Sequence, residues 1–163
     1  MKIARIWVLG LGLLLYAGAP LRADEVVIAA QYPLSGPMAS YSGPFLKEGT
    51  EIAIQRINET KMLGEGRTLK VIIEDNAGDR NQAISLMNRF ATSDNALAVL
   101  GVYGSYLSLP TAPVANELKV PFLAIAASPA IVQAGPWSFI LIEQPDSSMK
   151  ILSEYAADKL KVK

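Results

Sequence analysis

Neither cysteine nor histidine occurs anywhere in the 163 residues. Without them, Ser–His–Asp and Cys–His nucleophilic arrangements cannot be assembled within this chain. Zinc sites built from Cys and His are excluded on the same ground. No disulfide can form, so the fold relies on an ordinary apolar core. A bacterial lipid-anchored export route, which needs a cysteine at the mature start, is closed as well. Charge is equally unassertive, with 15 basic and 15 acidic side chains. Nothing in that balance calls for nucleic acid or an anionic membrane. What remains is carboxylate and hydroxyl chemistry, and no carboxylate pair stands out from the charged turns. The composition favours binding over catalysis.

The N-terminus has a separate character. Lys2 and Arg5 give a short basic start, Ile6 to Tyr16 form an apolar run, and small residues lead to Leu21-Arg22-Ala23. This pattern predicts a secretory signal peptide over residues 1–23, its apolar run too short to span a bilayer comfortably. Ala17-Gly18-Ala19 also fits a cleavage site but would leave Pro20 at the new end, so the cut is placed after Ala23. Three basic residues and no acidic ones lie in this segment. The mature chain is therefore mildly acidic, and its length suits a single domain.

Beyond the signal, apolar runs alternate with amphipathic stretches. Strands are predicted at Glu25–Gln31, Thr68–Asp75, Leu97–Val102, Val120–Ile125 and Ser138–Ile142. Their β-branched and apolar content lacks clean alternation, as in strands covered on both faces. A helix from Phe45 to about Glu59 is expected to turn Phe45, Gly49, Ile52, Ala53, Arg56 and Ile57 to one side. Asp79 stands three residues before Gln82, a capping-box spacing for a helix reaching Thr92 with Ala83, Leu86, Met87 and Phe90 buried. A third helix is expected at Leu107–Leu118, its first turn distorted or late because of Pro110 and Pro113. Pro145-Asp146 opens a last helix carrying Met149, Leu152, Tyr155, Ala156 and Leu160. The acidic group Glu74, Asp75 and Asp79 lacks calcium-loop spacing and reads as turn and cap. Such alternation implies right-handed βαβ units in a doubly wound parallel α/β sheet.

One stretch is unusual: Gly101-Val102-Tyr103-Gly104-Ser105, where an apolar strand meets a Gly-rich corner and a helix. Backbone N–H groups and a serine hydroxyl at the positive end of a helix suit a carboxylate or phosphate. An alternative is a plain βα loop whose serine caps its own helix. Ligands of parallel sheets collect beyond the carboxyl ends of the strands. That rule brings Tyr41, Tyr103 to Ser105 and Ala126 to Ser128 to one rim, which favours the site.

Taken together, Pro33-Leu34-Ser35-Gly36-Pro37 with Tyr41, Gly49 to Asn58, Glu74 to Asp79 with Gln82-Ala83, Gly101 to Ser105, and Pro121 to Ser128 resemble a known family. It is the type I periplasmic solute-binding proteins of ABC importers, in the branch that binds leucine, isoleucine and valine. The resemblance implies a flavodoxin-like strand order and a chain truncated before a second lobe. The implied divisions are a first lobe over residues 24–144 and a crossover helix over 145–163. It also implies a ligand site at Tyr41, Tyr103, Gly104, Ser105, Ala126, Ala127 and Ser128. Ser105 would serve the carboxylate of an amino acid, Ala126 and Ser128 its ammonium, with a corner N–H for the carboxylate, and Tyr41 would stand beside its side chain. No cofactor or metal is implied. The implied partners are a small polar ligand and an inner-membrane permease, with a monomeric protein in the periplasm. Ile142 stands where the family often has arginine. Two other readings stay open: a ligand-sensing domain of the same fold, and an exported α/β hydrolase-like enzyme, which the missing histidine and missing G-x-S-x-G elbow disfavour.

Overall fold

The computed structural model describes residues 24–143 and 145–162. The expected signal peptide lies outside the described residues. Five parallel strands form one sheet in the order β2-β1-β3-β4-β5. They are β1 (Asp24–Tyr32), β2 (Arg67–Asp75), β3 (Val99–Tyr103), β4 (Phe122–Ile125) and β5 (Ser138–Ile140). Between them run α1 (Gly43–Glu59), α2 (Arg80–Thr92), α3 (Ser105–Leu118) and the single turn α4 (Ala130–Gln133), and α5 (Pro145–Asp158) follows β5. The sequence direction reverses between β1 and β3, which makes this the switch point of a doubly wound sheet.

The core occupies one face of the sheet. Ala29, Val99, Phe122 and Ala124 pack there against Met87 and Phe90 of α2, Leu107 and Ala112 of α3, and Ile131 of α4. Burial of this apolar set is the main driving force for the lobe. The expected α2 stripe of Ala83, Leu86, Met87 and Phe90 is buried as a unit. On the opposite face α1 packs over β1 and β2.

Two helices differ from the sequence expectation. In α1 the half-buried positions include Leu46, Thr50, Ile54 and Ile57, while Ile52 and Arg56 are exposed. A polar residue can occupy that stripe because the Thr50 hydroxyl bonds the Leu46 carbonyl at 2.8 Å and meets the Tyr32 hydroxyl at 2.7 Å. Hydroxyl satisfaction has overridden simple apolar periodicity. In α3 the helix starts at Ser105 and runs through both prolines. Pro113 is exposed and Pro110 only half-buried. Water can therefore serve carbonyls that lack an N–H partner, and the prolines do not delay the helix.

Candidate functional site

Two strand ends build the corner. A register irregularity falls between Gly101 and Tyr103 where β3 pairs with β4. Gly101, Val102 and Gly104 take φ of 94°, 49° and 89°. A β-branched residue at positive φ is strained, and buried contacts hold it there. The Ser108 hydroxyl donates to the Val102 carbonyl at 2.6 Å. The Gly104 N–H donates to the Ile125 carbonyl at 2.9 Å, which ties the corner to the end of β4. Gly101 has no room for a side chain, since an added Cβ would lie 2.5 Å from the Tyr32 ring and 2.6 Å from the Gln31 carbonyl oxygen.

Gly104 is the N-cap of α3 and makes no side-chain cap. Ser105, the first residue of that helix, therefore stands where leading N–H groups have no intrahelical partner and the helix end is positive. Its hydroxyl does not cap α3. Instead its oxygen accepts from the backbone N–H of Ser128 at 3.1 Å. The alternative of a self-capping serine is thereby displaced by a bond across two strand ends. A serine hydroxyl that accepts one bond still has a proton to donate. Ala126 is buried, and Tyr103, Gly104, Ser105, Ala127 and Ser128 are half-buried. Next in line, Tyr106 carries the Arg80 guanidinium 4.1 Å above its ring.

Tyr41 is placed differently. It is 75% exposed on the loop between β1 and α1, and its backbone N–H bonds the Met38 carbonyl at 3.1 Å. No hydrogen bond joins it to Ser105 or Ser128. Beside it the buried Ser42 hydroxyl has no hydrogen-bond partner among the described residues.

Sequence reasoning missed the groups that fix the rim. Gln31, fully buried at the end of β1, donates to the Ala83 carbonyl at 3.1 Å and accepts from the Asn76 amide at 3.4 Å. Asn76 in turn accepts from the Gly78 N–H at 3.1 Å. These amides bind β1 to the turn that starts α2. A glutamine inside an apolar strand was the available signal, because buried polar groups must be paired.

The acidic group behaves as turn and cap. Asp75 accepts backbone N–H bonds from Leu34, Ser35 and Ala77 at 2.8, 3.2 and 2.7 Å. Burial alone would raise its pKa, but hydrogen bonds from the Ser35 hydroxyl and these backbone groups outweigh that and lower it. Asp79 caps α2 by accepting from the Gln82 N–H at 2.8 Å. The Gln82 side chain donates to the Asp75 carbonyl at 2.6 Å, so only half of a capping box forms. Glu74 pairs with Arg89. No group of three metal-ligating side chains occurs among the described residues, and none of their helices is long and apolar enough to cross a membrane.

The sequence pattern of the family described as periplasmic binding protein matches residues 25–163. The chain belongs to the periplasmic binding protein family. Among its curated relatives, a Leu/Ile/Val-binding protein homolog from Brucella abortus is 27% identical over 84% of this chain and 37% of its own length. A solved ABC transporter substrate-binding protein from Desulfitobacterium hafniense, in complex with Leu, is 27% identical. It has a TM-score of 0.71 and covers 83% of this chain and 39% of its own. A possible leucine/isoleucine/valine-binding protein from Rhodopirellula baltica has a TM-score of 0.75 at 22% identity, covering 86% and 38%. That last likeness concerns the fold. This member of the periplasmic binding protein family thus spans under two fifths of the length of these relatives. The relatives are binding proteins, in keeping with a corner made of hydroxyls and amides.

Proposed function

We propose that the chain provides the first ligand-binding lobe of a periplasmic solute-binding component of an ABC importer. The ligand is an amino acid of the branched-chain type or a related small zwitterion. In this reading Ser105, with N–H groups at Tyr103 to Ser105, takes the carboxylate. The corner Ala126, Ala127 and Ser128 offers a carbonyl and a hydroxyl to the ammonium and an N–H to the carboxylate. Tyr41, on its exposed loop, closes beside the ligand side chain. The observation that carries this is the 3.1 Å bond from the Ser128 N–H to the Ser105 hydroxyl. The bond joins the ends of β3 and β4, beside the switch point between β1 and β3, and it supports a reading in which donors and acceptors lie within one ligand's reach. A zwitterion needs both a few ångströms apart.

The names of the relatives support transport as the context, and export by a cleaved signal over residues 1–23 fits that context. Catalysis is disfavoured because the corner has no histidine or cysteine base or nucleophile. A second lobe supplies the facing wall and a partner for the ammonium, and this lobe provides only half of the contacts.

The test is calorimetric titration of a chimera in which this chain replaces the matching part of the Leu-complexed Desulfitobacterium protein. Amino-acid binding by the chimera, together with none by this chain by itself, is the expected result. Micromolar leucine binding by this chain alone, or a well-folded chimera that binds no amino acid, would overturn the reading.

A further inference from the structure

The corner is held in a conformation that its own sequence disfavours. In β3, Val99 packs into the core and Leu100 lines a cavity on the α1 face. Strict alternation would carry Gly101 back to the core and Val102 out to the α1 face. The irregularity between Gly101 and Tyr103 reverses that phase, so Gly101 lines the cavity and Val102 enters the core. An inserted residue of this kind re-aims whatever follows it on the strand. Here that is Tyr103, Gly104 and Ser105. The phase change needs Val102 at φ 49°, a region that β-branched residues avoid.

One side chain holds it there. Ser108, fully buried in α3, bonds the chain on both sides of Tyr103. Its hydroxyl donates to the Val102 carbonyl at 2.6 Å, and its N–H donates to the Gly104 carbonyl at 3.1 Å. A serine or threonine inside a helix ordinarily returns its proton to a carbonyl of the preceding turn. Thr111 on the same helix does so, donating to the Leu107 carbonyl at 2.8 Å. The Ser108 hydroxyl instead leaves the helix for the strand end. Both Ser108 and Val102 are shut off from solvent, so bulk water cannot take over the bond. The other side of the corner is open: no other part of the chain lies within 4 Å of where a Gly104 Cβ would stand. A ligand oxygen can approach the backbone there.

We propose that Ser108 is a positioning residue of the site. Through Val102 it fixes the direction in which the Tyr103–Ser105 N–H groups and the Ser105 hydroxyl meet a ligand carboxylate. This rests on the reading, given above, that the corner takes a carboxylate. Ser108 is buried and does not reach a ligand itself. It acts by keeping Val102 from relaxing to negative φ. That relaxation would turn the peptide planes that follow and disturb the bonds from Gly104 to Ile125 and from Ser128 to Ser105. Donors aimed at a charge lose much of their effect when they turn away from it. The carbonyl and hydroxyl read as serving the ammonium follow β4, outside this linkage. Loss of the Ser108 hydroxyl therefore tells apart the two halves of a zwitterion.

The test is calorimetry on the chimera, with leucine and its decarboxylated amine as probes, in three variants. Ser108→Ala removes the hydroxyl, and Ser108→Cys keeps its volume with a weaker donor. Thr111→Val removes the neighbouring hydroxyl that serves only its own helix. Both Ser108 variants should weaken leucine at least tenfold and the amine by less than about twofold, while Thr111→Val changes neither by more. Folded Ser108 variants that keep their leucine affinity, equal loss of both ligands, or the same loss in Thr111→Val would overturn the proposal. A parent chimera that binds no amino acid would instead sink the carboxylate reading. The Ser128 amide resonance of this chain then decides the role of Ser108. It should shift in Ser108→Cys and stay in Thr111→Val, and a Ser128 signal unmoved by Ser108→Cys overturns the positioning role.

Discussion

The backbone N–H of Ser128 donates to the side-chain oxygen of Ser105 at 3.1 Å, joining the residues that follow two neighbouring strands. Neither residue serves its own helix start by this bond. The hydroxyl is oriented by the acceptance of one hydrogen bond and keeps its proton for another acceptor. In Ser105→Ala the Ser128 N–H loses this acceptor at a half-buried position. Stability should fall by about 1 kcal/mol, read as a lower urea midpoint with an unchanged slope.

Gly101 tests how tightly the corner is built. Its φ of 94° and the nearness of the Tyr32 ring both oppose a side chain. Gly101→Ala should cost about 2–4 kcal/mol, seen in thermal unfolding as a fall of many degrees. An unchanged midpoint would mean that the corner relaxes freely.

The buried amides give a second stability prediction. Gln31→Leu keeps the volume roughly but removes both bonds to the α2 turn, and it leaves the buried Asn76 amide short of a partner. The expected loss is about 1–3 kcal/mol. Hydrogen exchange should report it first at Gly78 and the start of α2, because the amide chain ends there.

Asp75 supplies a pH dependence. Its carboxyl titrates below its ordinary value in the folded protein, since the bonds from Ser35, Ala77 and Leu34 outweigh burial. A lowered folded pKa means that the unfolded chain binds the proton more readily. The contribution is complete above the unfolded value, about 3.9, and is lost as pH falls through the folded one. Asp75→Asn should flatten the acid limb of a stability-against-pH curve. An acid limb identical to the parent would contradict this role.

Much of the architecture was legible because its signals are local. The α2 stripe, the Asp79 cap and the five apolar runs each depend on a few neighbouring residues, and right-handed crossovers then leave few topologies. Thr50 was opaque because its fit on the sheet-facing side of α1 depends on Tyr32, eighteen residues earlier. The start of α3 at Ser105 was opaque because the tolerance of Pro110 and Pro113 is decided by which side faces water. At the corner, glycine spacing announced a turn. The strain at Val102 and the reach of Ser105 to Ser128 are tertiary facts with no sequence marker.

The carboxylate role proposed for Ser105 is tested most directly in the chimera, by titrating leucine and its decarboxylated amine against the parent corner and Ser105→Ala. The account predicts that the parent prefers leucine and that Ser105→Ala weakens leucine at least tenfold while leaving the amine nearly unchanged. Equal weakening of both ligands, or leucine binding unaffected by Ser105→Ala, would contradict it.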